Sequence, residues 1–115
     1  MNYDDMSDFE INKEVAKHCG SKKAERHCNA SITVSLSRCV VTDFGVKDYC
    51  NNPSDAWPII NGSHMSVELP HPELGGIGTI TIYNSMGTDW QVDFKQDENP
   101  LRAAMIVFLK MQNAS

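Results

Sequence analysis

Two histidine–cysteine pairs, His18-Cys19 and His27-Cys28, begin nine residues apart and offer four nitrogen and sulfur ligands of the kind that hold tetrahedral zinc. Their spacing argues against that use. Zinc sites usually take ligands in pairs spaced by two to four residues, and adjacent residues on a helix point about 100° apart. Cys19 also completes an apolar stripe with Ile11 and Val15, so His18, Cys19, His27 and Cys28 read as a helix end and a loop. Cys50 is the cysteine to weigh as a nucleophile, with His64 or His71 as its base, but no spacing ties the three together. Gly75-Gly76-Ile77-Gly78 lacks both the lysine of a phosphate-cradling loop and the glycine spacing of a dinucleotide site. Lys22, Lys23, Arg26 and His27 form a basic cluster without interleaved aromatics in an acidic chain, which reads as a solvated loop. No catalytic residue, no metal ligand and no cofactor is expected.

What remains is recognition chemistry, centred on the stretch from Asp48 to Ile60. Tyr49, Asp55 and Trp57 are its candidate binding residues, because tyrosine and tryptophan dominate the energetics of protein interfaces. The competing reading is structural. An aromatic side chain is first of all core material, so Trp57, Ile59 and Ile60 are expected to plug the interior while Asn51, Asn52 and Asp55 cap turns. On that reading Tyr49 and Asp55 are the residues most worth testing. The polar face of a later hairpin and an unpaired sheet edge offer a second docking surface.

The elements that position these residues follow from local pattern. Residues 1–6 read as frayed. Ser7-Asp8-Phe9-Glu10 is a capping box that opens a helix over about 8–18, with Gly20 past its end. Residues 21–29 read as a mobile polar loop. Ile32, Val34 and Leu36 alternate with polar residues as a half-buried strand; the parity slips at Cys39-Val40-Val41, through a bulge or a second strand beginning after Ser37, before Asp43-Phe44-Gly45 ends the run. Asn52 and Pro53 start a helix that Pro58 should limit to one or two turns, ending near residue 60. Met65, Val67 and Leu69 mark a further strand, closed by Pro70-His71-Pro72 and a flexible glycine-rich loop. Ile80 and Ile82 pair with Trp90, Val92 and Phe94 in a hairpin turning at residues 84–87. Asn99-Pro100 repeats the Asn52-Pro53 device ahead of the most apolar helix, over about 101–112.

The totals set the scale. The 115 residues suit one domain over 1–115, and the net charge is −5. Residues 31–99 hold 9 acidic against 3 basic side chains, so a charged partner surface is expected in the middle of the chain, not one for anionic nucleic acid or lipid. Met1-Asn2-Tyr3-Asp4-Asp5 lacks the apolar run of a secretory signal, and the apolar stretch from Ala103 to Leu109 is far short of the ~20 residues of a membrane span. A reducing cytoplasm and free thiols are the expectation.

Three segments carry a resemblance: Ser7 to Lys13, Asp48 to Ile60, and Asn99 to Leu109. In order and spacing they closely resemble the NinX family of lambdoid-phage proteins. The resemblance implies a phage or prophage origin and action inside the host cell, and it brings no functional residue across. The expected fold is α+β, a short antiparallel sheet of about four strands packed against a buried C-terminal helix with the N-terminal helix alongside. The expected function is noncatalytic binding of a host or phage protein. A small nucleic-acid-associated factor is the runner-up, and a small hydrolase or metal-dependent enzyme the third reading.

Overall fold

A computed structural model describes residues 3–26, 37–83, 89–96 and 98–114. Among the described residues it is framed by the helices α1 (Asp8–His18), α2 (Pro53–Gly62) and α3 (Pro100–Ala114). The strands are β1 (Ala24–Arg26), β2 (Val40–Thr42), β3 (Gly45–Lys47), β4 (Ser66–Glu68), β5 (Ile77–Tyr83) and β6 (Asp89–Lys95), with short 3-10 turns at Tyr3–Asp5 and Pro72–Leu74. The class is α+β as expected, but among the described residues the single sheet of about four strands is replaced by two three-stranded antiparallel sheets, ordered β1-β2-β3 and β4-β5-β6.

β2 falls where a second strand after Ser37 was one of two expectations, but its partners β1 and β3 escaped sequence reading because side-chain alternation does not build them. β1 lies inside the stretch expected to be a polar loop, and its Glu25 and Arg26 are exposed. Polar bonds hold that region to the β2–β3 turn instead: the Lys22 amide donates to Asp43 Oδ2 at 2.7 Å, and the Asp43 amide to Ser21 Oγ at 3.0 Å. β3 follows β2 through a tight turn in which Gly45 has φ +108°, a left-handed conformation that favours glycine. The strand expected at Ile32, Val34 and Leu36 and the hairpin turn at 84–87 lie outside the described residues.

α1 forms where the capping box places it. The Glu10 amide donates to Ser7 Oγ at 3.1 Å, and the Ser7 amide to Glu10 Oε1 at 3.4 Å. Ile11, Val15 and Ala16 are buried, whereas Cys19, the last member of the expected stripe, caps the helix and is exposed. α3 is the central element. Every side chain from Ala103 to Leu109 is buried, and the helix lies across β5 and β6 on one side and α1 and α2 on the other. Its packing against Ile80, Ile82 and Phe94 makes the core, at roughly 1.5–3 kcal/mol for each large side chain removed from water.

α2 runs two residues further than expected, through Pro58 to Gly62. Proline removes one amide donor and crowds the carbonyl four residues back, a cost near ~3 kcal/mol. Burial of Ala56, Ile59 and Ile60 on the core side offsets it, and Pro58 itself faces solvent. The stretch before α1 is not frayed either. Tyr3 is buried, its hydroxyl accepts from Asn113 Nδ2 at 2.6 Å, and Arg102 Nη2 donates to the Met6 carbonyl at 2.6 Å.

Candidate functional site

The segments 7–13, 48–60 and 99–109 meet in space at one polar junction. Asn12 on α1 is fully buried. Its Nδ2 donates to the Arg38 carbonyl at 2.8 Å and to Asp48 Oδ1 at 2.9 Å, and its Oδ1 accepts from the Cys50 amide at 3.0 Å. Asn51 Nδ2 bridges Asp48 Oδ1 and Asp8 Oδ2, each at 3.0 Å. Asn99 Nδ2 reaches Asn51 Oδ1 at 2.9 Å and also donates to the Cys50 carbonyl. Arg102 Nη1 pairs with Asp8 Oδ1 at 2.6 Å, and Arg38 Nε with Asp48 Oδ2 at 3.3 Å. Among the described residues no buried side-chain nitrogen or oxygen is left without a partner.

An arrangement this closed does no chemistry on a substrate. Each carboxylate faces an arginine, and the amides are used up in bridging. Burial, with Asp8 next, pushes the Cys50 thiol far above its ordinary value, so it holds its proton and is a poor nucleophile. Its Sγ lies against the Asp8 carbonyl at 3.9 Å, while His71, one of its two expected bases, sits exposed on its loop and accepts from the Glu73 amide. The junction is a brace.

The three expected binding residues divide. Tyr49 is buried at 3% exposure, and burial, then Cys19 and Asp55, raise its phenol to about 12. Asp55 is largely buried too: Oδ2 accepts from the Asp48 amide at 2.9 Å and Oδ1 pairs with Lys47 Nζ at 3.5 Å. Trp57 reverses its expectation as a core plug. It is 62% exposed, on the outer side of α2, because Ala56, Ile59 and Ile60 take the inward positions. The plug of this stretch is Tyr49 and Cys50 together with those three residues.

Trp57 stands over an open depression of about 410 Å3, lined also by Ile60, Asn61, His64, Met65 and Val67. Register shows how the depression continues. Val67 pairs with Ile80, and Ile80 with Val92, so Val67 lies on the core-facing side of the second sheet. Met65 and Leu69 flank it at the same parity. α3 covers β5 and β6 but stops short of β4, whose three residues are all exposed. The apolar face of the sheet therefore runs out from under the helix as a ledge, with Val67 43% and Leu69 64% exposed. Strand alternation marked Met65, Val67 and Leu69 as apolar; nothing in it showed that the covering helix would end before them.

A larger groove of about 480 Å3 lies on the opposite edge of that sheet, between Asp4, Asp93, Glu98, Arg102 and Ile106. Its rim is acidic. Hydrogen bonds from Gln91 and then Thr79 hold the Asp93 carboxyl below its ordinary value, and Arg102 is taken up by Asp8 and the Met6 carbonyl. Of the basic cluster, Arg26 lies over the Phe9 ring at 4.1 Å and the Lys22 amide bonds the β2–β3 turn, while His27, like the neighbouring Cys28, lies outside the described residues. His18 packs edge-on against Phe108, with centroids 6.4 Å apart. Among the described residues no group of histidine, cysteine and acid side chains could hold a metal ion, and no helix is long and apolar enough to cross a membrane.

Fold and site together define a small α+β protein with a closed polar brace and an open apolar ledge. The chain belongs to the family described as Bacteriophage P22, NinX, whose model matches residues 2–112. No curated protein and no solved structure matches it.

Proposed function

We propose that this phage-family protein is a noncatalytic binding module that grips a host or phage protein through the ledge formed by Trp57, Met65, Val67 and Leu69. One observation carries the reading: an apolar sheet face left open beside an exposed tryptophan. Action in the host cytoplasm belongs to the same proposal and draws on the phage family. The acidic groove and the internally used Arg26 favour a protein partner over a nucleic acid.

The test compares the wild-type chain with Trp57→Ala and Leu69→Ser as baits in host and infected-cell lysates. Both positions are exposed, so both variants should keep the wild-type circular dichroism and melting temperature. Partners captured by wild type should be lost from both. Capture that survives both substitutions moves the binding surface elsewhere.

A further inference from the structure

We infer that β4 pairs with β4 of a second copy of this chain, antiparallel about a two-fold axis at Val67, to make one continuous six-stranded sheet. The inference shares the exposed strand with the ledge reading and goes beyond it, because it concerns the hydrogen-bonding edge and names its occupant.

Among the described residues the strand order leaves β4 and β6 with one neighbour each. An edge strand presents unpaired amides and carbonyls that template another strand. The two edges differ in charge. The groove along β6 gathers Asp4, Asp93 and Glu98, so another copy of an acidic chain is repelled there. β4 carries a single acid, Glu68, and no lysine, proline or glycine to discourage pairing.

Its sequence is self-complementary in one register. With Val67 opposite its own counterpart, all three strand residues pair, and each Glu68 faces Ser66 of the second copy. A hydroxyl then stands opposite each carboxylate as a donor. A shift of two residues one way sets Glu68 against Glu68, which opposes like charges directly. The other way sets it against His64, whose φ of +54° lies outside extended geometry. The same two-fold keeps both apolar faces on one side of the joined sheet. Leu69 of each copy then meets Met65 of the other, flanking the central valines, and the two ledges merge. The contact is isologous, so it closes at two copies and leaves the acidic β6 edges at the far ends.

Sedimentation of the full chain over a concentration series tests the association. The wild-type chain should show a concentration-dependent dimer. Val67→Lys sets two ammonium groups opposite each other on the axis and should weaken the dimer by about tenfold or more, with the melting temperature of the monomer unchanged. Register is tested by cross-linking in a background with Cys19, Cys28 and Cys39 replaced by serine, which leaves the buried Cys50 as the native thiol. Directly opposed antiparallel residues hold their Cα atoms about 4.5–5.5 Å apart, within disulfide reach. Under a mild oxidant Val67→Cys should give a linked dimer on a nonreducing gel, and Ser66→Cys, out of line with its own counterpart, should not. A monomer at every concentration, a dimer indifferent to Val67→Lys, or equal linking by Ser66→Cys overturns the inference. A monomer whose Trp57→Ala variant still loses captured partners removes the self-pairing and leaves the ledge reading standing.

Discussion

Asn12 uses every hydrogen-bonding direction that counts: both amide protons and the carbonyl oxygen are engaged in a site closed to water. Its removal takes a partner from the Cys50 amide and the Arg38 carbonyl and leaves Asp48 Oδ1 with Asn51 alone. Asn12→Ala should therefore cost roughly 2–4 kcal/mol in chemical denaturation, well above a typical surface substitution. Tyr49 gives a second test, by pH. Its phenol titrates near 10 in the unfolded chain and at about 12 in the folded one. The folded state binds the proton more tightly, so this contribution is complete below pH 10 and fades as pH rises toward 12. Stability measured across that window should fall less steeply in Tyr49→Phe than in wild type. None of this was visible in residue type alone. The order of Tyr49, Asp55 and Trp57 along α2 and the turn before it suggested a common surface, but Asp55 is held by the Asp48 amide and Trp57 faces outward.

At the scale of elements, the two Asn-Pro starts are the same local device in different settings. Asn52 Oδ1 accepts from the Ser54 amide at 2.9 Å, and Asn99 Oδ1 from the Leu101 amide at 3.0 Å. Asn52 is exposed, so Asn52→Ala should cost only the cap, about 1 kcal/mol. Asn99 also ties Cys50 and Asn51, so Asn99→Ala should cost roughly 2–3 kcal/mol; equal losses in thermal melts would refute the distinction. Gly78 is a second element-level test. A Cβ there would meet the Phe94 ring at 2.5 Å and the Glu68 carbonyl at 2.7 Å. Gly78→Ala should cost about 1–3 kcal/mol, and Phe94→Leu should not restore it, because the carbonyl contact remains. Caps, α1, α3 and the long hairpin were legible because each rests on spacing within a few residues. β1 and β3 were not, since backbone pairing and the Ser21–Asp43 bond hold them without an apolar period.

For the whole molecule, the family segments at 7–13, 48–60 and 99–109 explain the brace and give the ledge its Trp57, while Met65, Val67 and Leu69 come from the stretch between them. Sequence reading foresaw the α+β class and the buried last helix, yet merged two sheets into one. It had no means of seeing which strand the helix would leave uncovered. That depends on where α3 crosses the sheet, a property of distant packing and not of Met65, Val67 or Leu69 themselves.

The strap at the start of the chain has a further consequence for how the protein is made. Tyr3 bonds to Asn113, and Met6 and Asp8 to Arg102. A ribosome synthesises these partners 94 to 110 residues apart. Until α3 emerges from the exit tunnel, α1 and the second sheet lack the helix that packs against both, and Tyr3 and Met6 wait for these partners. Closure of the fold thus waits for residues 100–114, and a chain stopped before Arg102 loses the strap's bonds along with α3.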